Sequence, residues 1–239
     1  MIALKSSNSR DVARTSRPGK PVRDIPINAR HVTGHVSWRE SEPIPYESPL
    51  ERDFVLRQEF SLAVSSVLSQ PCKIPFVTHS GRPAEYTPDY LVTYTVSDIA
   101  LGWEPPPLLV EVKSKEDWQE NWREWSPKWK AARRYAAERG WRFKIMDEGR
   151  IRTSALDNIA FLKEYRDLDV EREDSDSIVA DVRELGAVKV DYVLAKHFPG
   201  LYRARGIAHV WHLIARRRLD CDVGRDLGEM TEVWVPNGR

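Results

Sequence analysis

The chain has 239 residues, 41% of them hydrophobic and 31% charged, which is enough apolar material for one large domain or a medium domain with a small companion. This balance excludes a disordered or collagen-like polymer. The formal net charge is +1 and the two cysteines, Cys72 and Cys221, are far apart, so a disulfide framework and a thiolate zinc site are excluded as well.

Charge runs unevenly along the sequence. Lys5, Arg10, Arg14, Arg17, Lys20, Arg23 and Arg30 lie in a Ser/Pro/Asn-rich context against only Asp11 and Asp24, which predicts a basic, mobile arm over 1–40. No stretch approaches the roughly 18 apolar residues of a membrane helix, and residues 1–20 lack the apolar middle of a signal peptide, so the expected location is the cytoplasm. Ser48-Pro49-Leu50-Glu51 combines an N-cap residue, a proline at the first helical position and a Glu three after the cap, predicting a helix from here to about Leu68. Strands are expected at 72–78, 86–96 and 108–113, the last set off by Pro105-Pro106-Pro107 and apolar enough to be central. Residues 114–139 follow as helix, broken at Ser126-Pro127 and stopped at Gly140. A strand at 141–146 and a helix at 154–165 close an α/β unit with a mixed sheet over 41–166.

An acidic linker, 167–177, comes next, and the Lys196–Arg225 region is basic again. Helices at 175–185, 188–198 and 203–218, then short strands near 219–222 and 231–235, outline a small winged-helix-like domain over 178–239 whose third helix would read DNA.

Chemistry concentrates in the first unit. Tyr86-Thr87-Pro88-Asp89-Tyr90 puts an acid at a strand start, and Leu109-Val110-Glu111-Val112-Lys113 ends an apolar strand with acid-x-Lys. With period two, Glu111 and Lys113 share one face while Val110 and Val112 take the other. Acids converging at a sheet end bind hard divalent cations, Mg²⁺ by preference with Mn²⁺ as substitute, and a neighbouring lysine orients or deprotonates water and offsets phosphate charge. The expected ligands are Glu51, Asp89, Glu111 and the Val112 carbonyl, with Lys113 serving the attacking water. Bland readings stand beside these: Glu51 as a helix cap, Asp89 as a turn acid, Glu111-Val112-Lys113 as a solvated strand end.

The ordered set of helix Glu, Pro-Asp, apolar strand ending Glu-x-Lys and helix resembles the restriction-endonuclease-like PD-(D/E)xK nucleases. Within these, residues 46–165 resemble the TnsA family of transposon endonucleases. The likeness rests on Glu47-Ser48-Pro49-Leu50-Glu51, Gln70-Pro71, Tyr86-Thr87-Pro88-Asp89-Tyr90-Leu91-Val92, Leu109-Val110-Glu111-Val112-Lys113, and Ile151-Arg152 before Leu156-Asp157-Asn158. It implies Glu51, Asp89, Glu111 and Lys113 as catalytic residues. The acid-x-Lys acid can be Gln in that family, which gives Glu111 less weight than Asp89. It further implies hydrolysis of the 5′ strand at double-stranded transposon ends, a DDE transposase (TnsB-like) acting on the 3′ ends, and an AAA+ ATPase regulator (TnsC-like).

Other features keep two readings. Trp118, Trp122, Trp125 and Trp129 form a stripe that packs on the sheet or meets a partner, and Lys128, Lys130, Arg133 and Arg134 beside it suit a phosphate backbone. The Arg203–Arg218 segment meets either DNA phosphate or another protein. His209 and His212, one turn apart, lack a third ligand nearby and fit packing or backbone contact better than zinc. No nucleotide-binding glycine loop occurs. The rival functions are a stand-alone restriction or repair nuclease of the same fold and a non-catalytic DNA-binding adaptor.

Overall fold

The computed structural model describes residues 33–39, 41–95 and 105–236. The arm expected over 1–40 lies outside these residues as far as position 32, and Val96, the expected end of one strand, is outside them too.

Strands β1 (Gly34–Trp38) and β2 (Ser41–Tyr46) form an antiparallel hairpin, in which alternation buries Val36 and Trp38. Helix α1 (Pro49–Phe60) begins as the sequence predicts: the Ser48 hydroxyl accepts the Glu51 amide at 3.1 Å, and Pro49 needs no partner at the first position. It ends eight residues earlier than the expected Leu68. Beyond Phe60 the chain forms strand β3 (Val64–Ser69), whose Val64 and Val67 are buried and whose Ser66 hydroxyl meets Thr93 at 2.6 Å across the ladder. Sheet pairing overrides local helix tendency here.

Strands β4 (Ile74–Val77) and β5 (Pro83–Tyr86) pair antiparallel, followed by β6 (Tyr90–Tyr94). The single strand expected from Tyr86 is therefore two, divided at Thr87-Pro88, where proline has no N–H to give a ladder. Strand β7 (Leu108–Val112) is buried from Leu109 onward and occupies an interior place in a four-stranded mixed sheet of order β3-β6-β7-β8, β8 being Arg142–Met146. β7 runs antiparallel to β6 and parallel to β8, and helices α2 (Lys115–Glu120) and α3 (Trp122–Glu138) make the crossover between them.

The helix break falls at Asn121 rather than at Ser126-Pro127; Pro127 lies inside α3. The carbonyl that a residue-127 amide would serve, that of Arg123, is instead met by the Ser126 hydroxyl at 3.2 Å and by His79 Nε2, so the proline leaves no acceptor orphaned. Gly140, at φ 70°, stops the helix as expected. Helix α4 (Glu148–Ile151), absent from the sequence reading, and α5 (Ser154–Lys163) complete this half.

The sheet has two dressed faces. Phe54 and Val55 of α1, with Val36 and Trp38, cover Tyr90, Val92, Val110 and Val112; on the other side Trp129, Ala132 and Ala136 of α3 cover Leu109 together with Ile74 and Tyr86.

The C-terminal part comprises α6 (Arg172–Leu185), β9 (Ala187–Lys189), α7 (Val190–His197), α8 (Arg203–Ala215), β10 (Asp220–Cys221) and β11 (Glu232–Trp234). Helix α6 starts within the expected acidic linker. Strand β9 takes the first residues of the helix expected from Val188, because Val188 pairs with Val233; the resulting sheet is three-stranded, in the order β10-β11-β9.

Helix α8 ends three residues before the expected Arg218. Gly206, His209, Val210, Trp211, Leu213, Ile214 and Ala215 are all buried, so one face of the helix belongs to the core of this part. The cations of the helix and of the turn after it are paired: Arg203 with Asp191 and Glu229, Arg216 with Asp167 at 3.2 Å, Arg217 with Asp220 at 2.9 Å and Arg218 with Asp176 at 2.6 Å. Two of these partners, Asp167 and Asp176, come from the acidic stretch. Phe60, Ile159 and Leu162 from the first half belong to the same apolar cluster as Val182, Leu194, Val210 and Val233.

Candidate active site

Strand β7 sets the geometry. Val110 and Val112 enter the α1-side cluster, which leaves Glu111 and Lys113 on the alternate positions, as the period of two requires. Asp89 arrives at the same strand end from the neighbouring chain. Its amide donates to the Val110 carbonyl at 3.1 Å and its Oδ2 accepts the Val112 amide at 2.7 Å, so the carboxylate is locked beside the Val112–Lys113 peptide. Lys113 is fixed from the other flank, where its backbone N–H donates to the Met146 carbonyl at 3.1 Å.

Glu51 reaches in from the α1 side. Its Oε2 accepts the Glu47 amide at 2.8 Å and the Tyr90 hydroxyl at 3.2 Å, and its Oε1 accepts the Ser48 hydroxyl at 3.0 Å. Capping and site placement are thus properties of one buried side chain. Glu111, 2% exposed, faces the α3 side, where the Tyr86 hydroxyl donates to its Oε2 at 2.6 Å and Lys128 Nζ lies 3.3 Å from its Oε1.

These groups feel one another. Asp89 keeps some exposure as a residue, but loss of water around its carboxyl, followed by the charges of Glu111 and Glu51, holds that carboxyl well above the usual carboxylate range. Burial likewise raises Glu51. Burial by itself would lower the Lys113 ammonium, yet Asp89, Glu111 and Glu51 together raise it above its ordinary value.

Asp89 is the member shared by both sides: Glu51 approaches from the α1 face and Glu111 from the α3 face. Among the described residues, no three acidic, imidazole or thiol groups stand close enough together to hold a metal ion. The donor chemistry nonetheless suits a hard divalent cation, since every donor is an oxygen and the three acids outnumber the two adjoining lysines, Lys113 and Lys128. Glu51, Asp89, Glu111 and the Val112 carbonyl are the groups that could hold one.

Sequence reasoning missed four supporting residues. Tyr86 and Tyr90 each hold an acid from a neighbouring strand or turn, and burial, together with the adjoining carboxylates, raises both phenols. Lys128 Nζ lies over the rings of Trp125 at 4.8 Å, Tyr86 at 5.1 Å and Trp129 at 5.6 Å while it faces Glu111. Gln70, at φ 46°, takes the Asp89 carbonyl with its amide at 2.7 Å and Glu47 Oε1 with its side-chain nitrogen at 3.1 Å. The Gln70-Pro71 pair is among the segments that carry the family likeness, without a role being assigned to Gln70 there. The histidines of α8 are structural: His209 Nε2 meets the Ser175 hydroxyl at 2.7 Å and His212 Nδ1 meets the Tyr165 carbonyl at 2.9 Å.

Residues 61–148 match the family model described as TnsA-like endonuclease N terminal, and residues 150–223 match that described as TnsA endonuclease C terminal. Asp89, Glu111 and Lys113 lie inside the first match; Glu51 precedes it. Among curated proteins no match was found.

Proposed function

The chain belongs to the TnsA endonuclease family, and from that premise we propose that it is the subunit of a cut-and-paste transposase that hydrolyses the 5′ strand at transposon ends. Asp89, Glu111, Glu51 and the Val112 carbonyl are its Mg²⁺ or Mn²⁺ ligands, and Lys113 serves the attacking water. The observation that supports this reading best is the Asp89 carboxylate held on the Val112 amide at the end of the sheet's interior strand, where the charges of Glu51, Glu111 and Lys113 are all felt.

A divalent ion bound there would neutralise the excess anionic charge and lower the pKa of a water. The protein's own groups do the rest. The Val112 amide holds Asp89 in one orientation. Lys113 would orient or deprotonate the attacking water and offset charge building on the phosphorus. In-line attack leaves a 5′-phosphate and a 3′-hydroxyl.

Excision requires a second enzyme for the 3′ ends, a DDE transposase of the TnsB kind, with an AAA+ ATPase of the TnsC kind as regulator. The separate engagement of Glu51 and Glu111 by their own donors supports a centre that closes only on DNA or partners. The test is nicking of a transposon-end duplex labelled on each strand, with Mg²⁺ and both partner proteins. The expected product is a 5′-strand nick that is lost in Asp89→Ala and in Lys113→Ala, each of which still folds. Full activity in either folded variant overturns the assignment, and cleavage of plain duplex by the chain alone favours a stand-alone nuclease.

A further inference from the structure

The tryptophan stripe is not all core. Trp129 is 3% exposed, but Trp122 is 46% exposed and packs its ring against Trp118 at 6.1 Å and Trp129 at 5.4 Å, giving an aromatic ledge open to solvent. The ledge lines a cavity of about 410 Å³ between α3 and the β8–α4 connection. Lys130 and Arg133 of α3, Lys144 of β8 and Arg150 of α4 also line it. Among the described residues, none of these four cations is paired with an acid, whereas Arg203 of α8 and Arg216, Arg217 and Arg218 beyond its end all are. The acid in the lining, Asp147, already takes the Trp118 indole N–H at 3.3 Å and the Arg150 amide at 3.2 Å. In a chain of net charge +1, uncompensated positive charge therefore gathers around exposed indole.

The cavity also adjoins the cleavage centre. Asp147 directly follows Met146, whose carbonyl holds the Lys113 amide, and Trp118 stands five residues beyond Lys113. Aromatic faces with free cations match a ligand that has both a π-face and phosphate charge, the combination that single-strand binders use. The volume lies within the ~300–1,000 Å³ of small-ligand pockets, so it suits one unstacked nucleotide rather than paired DNA. We propose that this pocket captures an unpaired nucleotide of the DNA strand next to the cut, its base stacked on Trp122 and its phosphates met by Lys130, Arg133, Lys144 and Arg150. The proposal rests on the nuclease reading and names the form of DNA that the site handles.

The test is fluorescence-anisotropy binding of a labelled thymidine oligomer of about eight nucleotides, within the ~4–16 nucleotide range of single-strand sites, to full-length Asp89→Asn protein. Trp122→Ala should weaken binding at least about fivefold. Lys130→Ala with Arg133→Ala should weaken it further and flatten the salt dependence by about 1.4 in the logarithmic slope, about 0.7 for each phosphate contact. Because Trp122 is exposed and both cations lie at the surface, an unchanged melting temperature is expected for each variant. Wild-type affinity in both variants overturns the proposal; so does an oligomer that fails to bind a chain that still binds duplex, and the ledge then belongs to a protein partner. Nicking by the wild type is scored separately, so its absence removes the nuclease reading alone and failed oligomer binding beside intact nicking removes the pocket alone.

Discussion

Glu51 holds the start of α1 and also feels the Lys113 charge and adds to that on Asp89, and the two duties separate by substitution. Ser48→Ala removes the acceptor for the Glu51 amide and should lower stability by about 1 kcal/mol, read by urea denaturation, with nicking retained below the midpoint. Glu51→Gln keeps an acceptor for the Glu47 amide but removes the charge. It should change stability by less than Ser48→Ala and reduce nicking at least tenfold; unchanged nicking would leave capping as its role. Tyr86 is a second case. Its hydroxyl is one of two partners of Glu111, a carboxylate that is 2% exposed, so Tyr86→Phe leaves an acceptor poorly satisfied and should destabilise the fold by about 1–3 kcal/mol in the same assay. Asp89, Glu111 and Lys113 are legible in sequence because a proline turn and a strand period place them. Tyr86 and Lys128 are not, since their value comes from a ring and an ammonium brought over Glu111 by strand pairing and by the α3 crossover.

Among the elements, those with local punctuation are the ones a sequence reveals. Ser48-Pro49 starts α1 and Gly140 ends α3 where expected. Boundaries set by partners are hidden: β3 exists because β6 lies beside it, and Pro127 is tolerated because Ser126 and His79 reach the carbonyl it cannot serve. Helix α8 shows the same limit. In sequence its arginines and those just after it read as an uncompensated basic set, whereas in the fold Asp167, Asp176, Asp191, Asp220 and Glu229 lie against them. Gly206 gives this helix a sharp test. Alanine is ordinarily about 1 kcal/mol better than glycine inside a helix. Here an added Cβ would lie 2.5 Å from the Phe198 ring and 2.6 Å from the Phe198 Cβ, close to backbone that cannot swing away. Gly206→Ala should therefore destabilise by about 1–3 kcal/mol in thermal or urea unfolding. A stabilised variant would mean that α7 and α8 are spaced more widely than this.

At the scale of the molecule, the two family-model matches meet near residue 149, but the apolar core does not divide there. Phe60 shares a cluster with the C-terminal helices, Ile151 packs with Phe54 and Val110, and Arg152 and Arg166 pair with Asp53 and Glu59 at 2.8 and 3.1 Å. A sequence read by composition sees an acidic hinge between two units; the fold spends those acids on ion pairs. The expected outcome in scanning calorimetry is one cooperative transition for the described body, with calorimetric and van't Hoff enthalpies equal. Two resolved transitions would show the halves to be energetically independent.

The account stands on the acids around Asp89 forming a cation-dependent centre at the end of β7, and calorimetric titration with Mg²⁺ tests that most directly. Saturable binding by the full-length chain, alone or bound to transposon-end DNA, that disappears in folded Asp89→Ala protein is the predicted result. Binding of equal strength in both proteins, or no binding by the wild type even on DNA, would contradict it.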